Sequence, residues 1–281
     1  MLNTIEKRLL ESYQKIYDEN GQPEGMFNVR PGIPFVGNNY LDKKTPNVLS
    51  YASAENLSYA YQSHLGTLQP KKVLLHRYKE KQFYRSRYFY DNYKDNDFPH
   101  VHIEPFNNGS QLLVTRHILT KLGFESVFNN TPNDFIEQIS AANTGKFSIK
   151  KATNTDYAQD TTRMKLSKAY IKEDLINLKP DIIILPKTIY HTVNRFMKWR
   201  VLLNEAEINK IKFIQIYQLS GWNTHRMRKA LNNKENSTEL NKANHDYTDW
   251  LYKIKDANVK TLTHTYLTWV ENELYNPKTI P

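Results

Sequence analysis

The stretch Ile211 to Arg228, IKFIQIYQLSGWNTHRMR, carries the densest set of residues suited to chemistry in this 281-residue chain. An apolar run with Ile211, Phe213, Ile214 and Ile216 gives way to Gln218, Ser220, Trp222 and Asn223, and Arg226 and Arg228 follow. The run has the β-branched and aromatic composition of a buried strand, and Gly221 breaks it where a loop must bend. Amide, hydroxyl and ring side chains delivered to a strand's carboxyl end, beside cations, are how open α/β sheets build ligand sites. From Lys71 to Asp97, Arg and Lys alternate with Tyr and Phe. Such interleaving suits phosphate contacts beside stacking platforms, although it also describes an element whose rings face a core and whose charges are solvated. His100, His102 and Glu104 alternate along an extended segment and share a face. A metal site there is conceivable, but a solvated strand edge explains the same pattern and no third histidine is near in sequence.

The elements that must position these residues follow from periodicity. The amino terminus reads as an amphipathic helix with Ile5, Leu9, Tyr13 and Ile16 on one stripe. Asn20 to Lys44 holds four Gly and three Pro and reads as turns or extended loop. Asn47 to Ser53 is expected as the first central strand, and Ala54 to Leu65 as a polar turn entering a helix. Leu112, Leu113, Ile118, Leu119 and Leu122 repeat at helical spacing and stop at Gly123. Phe135 to Ala142 reads as the second strand, arriving at Asn143, Thr144, Gly145 and Lys146. A helix is expected over Arg163 to Leu178, stopped by Pro180, then a buried parallel strand over Asp181 to Pro186, a helix over Ile189 to Leu203, and the Ile211 strand. Tyr247 to Leu274 reads as a helix pair. Strands separated by helices predict an α/β fold: a three-layer α/β/α sandwich around a mainly parallel four-stranded sheet, with helical amino- and carboxyl-terminal extensions. The expected organisation is one domain over 1–281, with its core at about 47–228 and a carboxyl-terminal helical extension over about 239–275.

Composition narrows the function classes. Lys and Arg number 39 against 29 Asp and Glu, a net charge of +10, which suits a polyanionic partner. No cysteine occurs, so disulfides, iron–sulfur clusters and thiolate zinc sites are excluded. No signal-peptide core or apolar run long enough to span a bilayer is seen, so a cytoplasmic location and no membrane contact are expected. No GxGxxG or GxxxxGK[ST] pattern points to nucleotide processing.

The order of four loops at four strand ends resembles the uracil-DNA glycosylase superfamily over roughly Asn47 to Arg228. PFNNGSQLLVTRHILTKLGF followed by ISAANTGKFSI carries most of the likeness, and KPDIIILP and QLSGWN are similar to two further family motifs, with Pro186 standing where a glycine is common. The resemblance implies that Phe106 stacks on an extruded base and that Asn143 reads its pairing edge. It implies a wedge at Trp222 or Asn223 and a phosphate held by the Ser220 hydroxyl, with Arg226, Arg228 and Lys146 as further DNA contacts. In the first motif, YASAENL departs from the family's glycine-rich turn, and Glu55 is its one carboxylate. Glu55 is therefore the candidate for positioning the hydrolytic water and stabilising a cationic sugar.

That assignment is chemically coherent. A flipped base needs an aromatic plane and an amide offering both donor and acceptor. Glycosidic cleavage builds positive charge on the sugar and negative charge on the departing base, so a carboxylate on one side and donors on the other lower the barrier. No metal or other cofactor is called for, and DNA is the one partner implied, with no obligatory protein partner. Gln218 occupies the position that is His or Asn in relatives, and a neutral donor there gives up about 1–2 kcal/mol of charge-assisted bonding, leaving a slower enzyme or another donor such as His225 or His191. Small Ser53 and Ala54, with Asn56 and Leu57 where stringent uracil enzymes carry a bulky aromatic, leave room for a larger base. Two substrates follow from the resemblance: the glucosylated hydroxymethylcytosine of phage DNA, removed by a bacterial-defence branch, or the uracil and mismatched bases of repair. A DNA-binding module without chemistry on the same scaffold is the non-enzymatic alternative.

Overall fold

In the computed structural model, which describes residues 2–26, 30–42, 45–54, 110–123, 134–147 and 161–216, the amino-terminal stripe forms helix α1 (Thr4–Asn20). Asn3 caps it by accepting from the Ile5 and Glu6 N–H groups, and Glu6 accepts from the Asn3 N–H in return. This reciprocal box satisfies donors that a helix start otherwise orphans. Ile5, Leu9 and Tyr13 are buried along one face. The helix is thus part of the core rather than an extension to it.

Five strands form the sheet: β1 (Phe35–Val36), β2 (Val48–Ala54), β3 (Ile139–Gly145), β4 (Ile182–Pro186) and β5 (Lys212–Ile216), in the order β1-β3-β2-β4-β5. Strand β2 is central and pairs in parallel with β3 on one side and β4 on the other. The fifth strand, beyond the four expected, is β1, which lies antiparallel on β3 within the proline- and glycine-rich segment. Its backbone is held by the α1 cap: the Val36 N–H donates to the buried Glu6 carboxylate, and Asn3 Nδ2 donates to the Val36 carbonyl. Those two bonds close the edge that β1 would otherwise leave open. Just beyond, a Cβ at Gly37 would run into the Glu137 backbone, so this crossing requires glycine.

Helices α3 (Thr161–Leu166), α4 (Lys168–Leu178), α5 (Lys187–Phe196), α6 (Trp199–Leu202) and α7 (Glu205–Ile208) complete the described part of this unit. Leu49 and Tyr51 of β2 and Ile183 and Leu185 of β4 join one apolar cluster with α1, α4, α5 and α6. The opposite face, with Val48, Ile139, Ile182 and Ile184, is buried as well. Burial on both faces explains why β4 reads as an uninterrupted apolar run and not as an alternation. The architecture is therefore α/β with a mostly parallel sheet.

Three expected elements differ in detail. The sequence predicts the second strand from Phe135, but Asp134–Gln138 form a 3₁₀ turn and pairing begins at Ile139. The helix expected over 163–178 is divided at Ser167, and that expected over 189–203 is divided at Met197 and Lys198, the latter at φ 56°. Pro180 follows α4 as expected, with Lys179 in the left-handed region at φ 46° closing the helix through its N–H to the Leu175 carbonyl. The chain divides into two compact units, Met1–Asp95 with Ile136–Phe213 and Asn96–Phe135 with Ile214–Pro281. In the second, α2 (Ser110–Lys121) buries Thr115, His117, Ile118 and Leu119 and is followed by Gly123 at φ 85°.

Candidate functional site at the carboxyl ends of the sheet

Because β2 and β3 run in parallel, both deliver their carboxyl ends to the same rim of the sheet, with Ala52 opposite Asn143 and Ala54 opposite Gly145. Chain order places β3 on one side of β2 and β4 on the other, so the sheet reverses direction of growth at β2. Such a switch point is where open α/β sheets leave a crevice for ligands. The two strand ends are tied by Thr144, whose hydroxyl lies 2.7 Å from the Ser53 carbonyl oxygen and 3.0 Å from that of Ala52. Thr144→Val keeps the shape and leaves both carbonyls without this donor. A loss of about 1–2 kcal/mol is expected, read as a lower denaturant midpoint with an unchanged slope.

Asn143 is half-buried on β3, with its amide on the face shared by Ala52. Strand alternation gives Ser53, also half-buried, to the Tyr51 side. The two residues expected to line one base pocket therefore leave their strands on opposite faces, although both stand at the same rim. Glu55 follows directly on the last residue of β2. Glu55, Asn56, Phe106, Gln218, Ser220, Trp222, Asn223, Arg226 and Arg228 lie outside the described residues, as do the Lys71–Asp97 stretch, His100, His102, Glu104 and His225. His191 is described, exposed on α5. Among the described residues, no group of three or more His, Asp or Glu is arranged to hold a metal, and no helix is long and apolar enough to cross a membrane.

Lys146, expected to contact phosphate, does something else. Its side chain is 1% exposed, and its ammonium lies 2.6 Å from Asp174 Oδ2, itself on a fully buried side chain. Tyr13 donates to Asp174 Oδ1 at 2.6 Å and Tyr51 to Oδ2 at 2.7 Å. The Lys146 nitrogen also stands 5.5 Å from the centroid of each of those two rings, within range of a cation–π attraction. A cation enclosed in this way cannot reach a nucleic-acid backbone, so the phosphate role is corrected to a structural one.

The cluster draws α1, β2, α4 and the residue after β3 onto a single carboxylate. Three donors converging on it suit an acceptor-only anion. Burial pushes the Asp174 carboxyl up, opposed by the Lys146 ammonium and by the hydrogen bonds from Lys146 and both phenols. Burial and then the Asp174 charge push the Tyr13 and Tyr51 phenols well above their ordinary range. Ser167, at the break between α3 and α4, accepts from the Lys146 N–H at 2.9 Å, so the start of the chain leaving the rim is fixed at both backbone and side chain. Sequence patterns miss this cluster, since its members lie on separate elements and only Tyr13 falls on an expected core stripe.

Compared with family models, curated proteins and solved structures, the chain matches none.

Proposed function

We propose that the chain is a cytoplasmic DNA glycosylase, which extrudes a base and hydrolyses its N-glycosidic bond to leave an abasic site, on a three-layer sandwich of the uracil-DNA glycosylase kind. The observation that carries this reading is the parallel registration of β2 and β3, which brings the half-buried Asn143 amide and the strand end leading into Glu55 to one rim of the sheet. A base-reading amide and a carboxylate near the sugar must come from adjacent loops for this chemistry, and adjacent parallel strand ends supply such loops. The sequence beyond β2 favours a bulky C5-modified cytosine, glucosylated hydroxymethylcytosine, over uracil or mismatched thymine, because Ala54 is small and Asn56 and Leu57 replace a blocking aromatic, while Ser53, on the face opposite Asn143, plays no part in it.

In this mechanism Asn143 fixes the base by a donor–acceptor pair, Phe106 stacks on it, and Glu55 orients water toward the anomeric carbon while offsetting the charge that develops on the sugar. Gln218 donates to the departing base.

The test is incubation with duplexes carrying uracil, mismatched thymine, or plain, hydroxymethylated or glucosylated cytosine, followed by alkali to break abasic sites. Strand breaks are expected at the glucosylated base. Breaks at uracil alone move the assignment to repair, and no break with any substrate leaves a DNA-binding module. Asn143→Ala is expected to lower single-turnover cleavage about ten- to hundred-fold, the equivalent of about 1–3 kcal/mol for a two-point base contact. Glu55→Gln with undiminished cleavage removes Glu55 from the mechanism.

A further inference from the structure

Segments 161–172 and 187–201, which supply α3, the first half of α4, α5 and most of α6, hold eight Lys and Arg and no Asp or Glu. The chain as a whole has 29 acids to 39 bases, so this imbalance is local. The two segments meet: Lys165 on α3 lies with its nitrogen 5.9 Å from the centroid of the Phe196 ring, and Arg195 on α5 has its guanidinium carbon 5.1 Å from the same centroid. Lys165, Lys168, Lys172, Arg195 and Lys198 are exposed.

Folding alone does not account for these charges. Arg195 sits in the last turn of α5, where the helix dipole favours a cation. Lys168 sits in the first turn of α4, where the dipole opposes one and no acidic residue is present. Lys168 and Lys172 are four apart on an exposed helix face, a spacing at which like charges repel. Cations gathered at a cost to the fold signal a polyanion that binds them.

We infer that the exposed surface of α3 and α5, with Lys165 and Arg195 beside Phe196 and Lys168 at the start of the following helix α4, is a second DNA-backbone contact, separate from the base-reading residues, binding phosphates without regard to sequence. The choice of DNA as the polyanion rests on the glycosylase reading, while the existence of the surface does not. Its described exposed apolar side chains, Leu166 and Val201, are single residues, less than an amphipathic helix presents to a lipid surface.

The experiment compares the wild-type chain with the triple variant Lys165→Gln, Lys168→Gln, Arg195→Gln in binding an unmodified duplex over a range of salt concentrations. The expected result is a shallower dependence of log affinity on log salt, by about 0.9 for each phosphate that the variant no longer neutralises and so up to about 2.7 for three. Thermal stability should be unchanged or raised, since repulsion is relieved. An unchanged salt slope overturns the surface even if the wild type releases bases, and a changed slope upholds it even if no base is released. Failure of the wild type to bind duplex, or capture by phosphatidylserine vesicles in place of duplex, overturns it as well.

Discussion

Asp174→Ala is expected to destabilise the fold by about 3–5 kcal/mol, because it leaves the buried Lys146 ammonium without the carboxylate that faces it. The same change strips an acceptor from the Tyr13 and Tyr51 hydroxyls, both of which donate to that carboxylate. A domain with ordinary stability of about 5–15 kcal/mol keeps little in reserve after such a loss. The comparison that identifies the cause is the double variant Lys146→Met, Asp174→Ala. Removing both charges abolishes the stranded ion, so the double variant should be more stable than Asp174→Ala alone, a non-additivity that only a coupled pair produces. Denaturant midpoints of the wild type, both single variants and the double variant measure it. Additive losses would mean that the two side chains do not interact. Since Lys146 directly follows the rim strand, the single variant should also loosen the position of Asn143, and under the proposed glycosylase function base release should fall further than the folded fraction does.

The strands were legible where burial on both faces wrote itself as composition. Ile182–Pro186 and Lys212–Ile216 are short β-branched runs, and they appear within a residue of where the sequence puts them. The same holds for Val48–Ala54, and for α1, whose stripe of Ile5, Leu9 and Tyr13 is the face it buries. Strand β3 was harder, because Ala-Ala-Asn-Thr-Gly has poor β-propensity. It is a strand because β1 and β2 pair on either side of it, and the more strand-like Phe135 and Ile136 fall in a 3₁₀ turn instead. The break at Ser167 is likewise tertiary, as its hydroxyl is taken by the Lys146 N–H. Lys146 itself misleads for a general reason. A lysine beside an expected site is ordinarily a surface cation, and the carboxylate and two phenols that bury it come from positions 174, 13 and 51, whose proximity no local period encodes. The rim, in contrast, was legible as far as Asn143 and the β2 end, since strand ends follow from strand placement.

Above about pH 10 the fold should lose stability steeply, and five buried tyrosines among the described residues set the slope. Burial, then the Asp174 charge, pushes Tyr13 and Tyr51 well above the ordinary phenol range, burial, then Asp181, does the same for Tyr40, and burial raises Tyr170 and Tyr190 as well. Below the ordinary phenol value, near pH 10, all five are protonated whether the chain is folded or not, so their contribution is fully present and constant. Above it the unfolded chain releases protons that the native state retains, and stability falls with rising pH until the native phenols themselves ionise. Each phenol contributes about 1.4 kcal/mol per pH unit, or up to about 7 kcal/mol for the five, which exhausts an ordinary domain within a few units. Tyrosinate absorbance from these side chains should therefore rise together with loss of the far-ultraviolet circular dichroism signal. Since the chain holds 19 tyrosines, their share is read as the difference between the wild type and the matching Tyr→Phe variants, and a difference that climbs near pH 10 with the fold intact would mean that they are exposed. Tyr40→Phe isolates the effect, since the Tyr40 hydroxyl is buried without a hydrogen-bond partner. Removing it sacrifices no bond, relieves an unsatisfied donor and should reduce the alkaline slope by about a fifth, whereas Tyr51→Phe reduces the slope while also withdrawing one of the donors that hold Asp174.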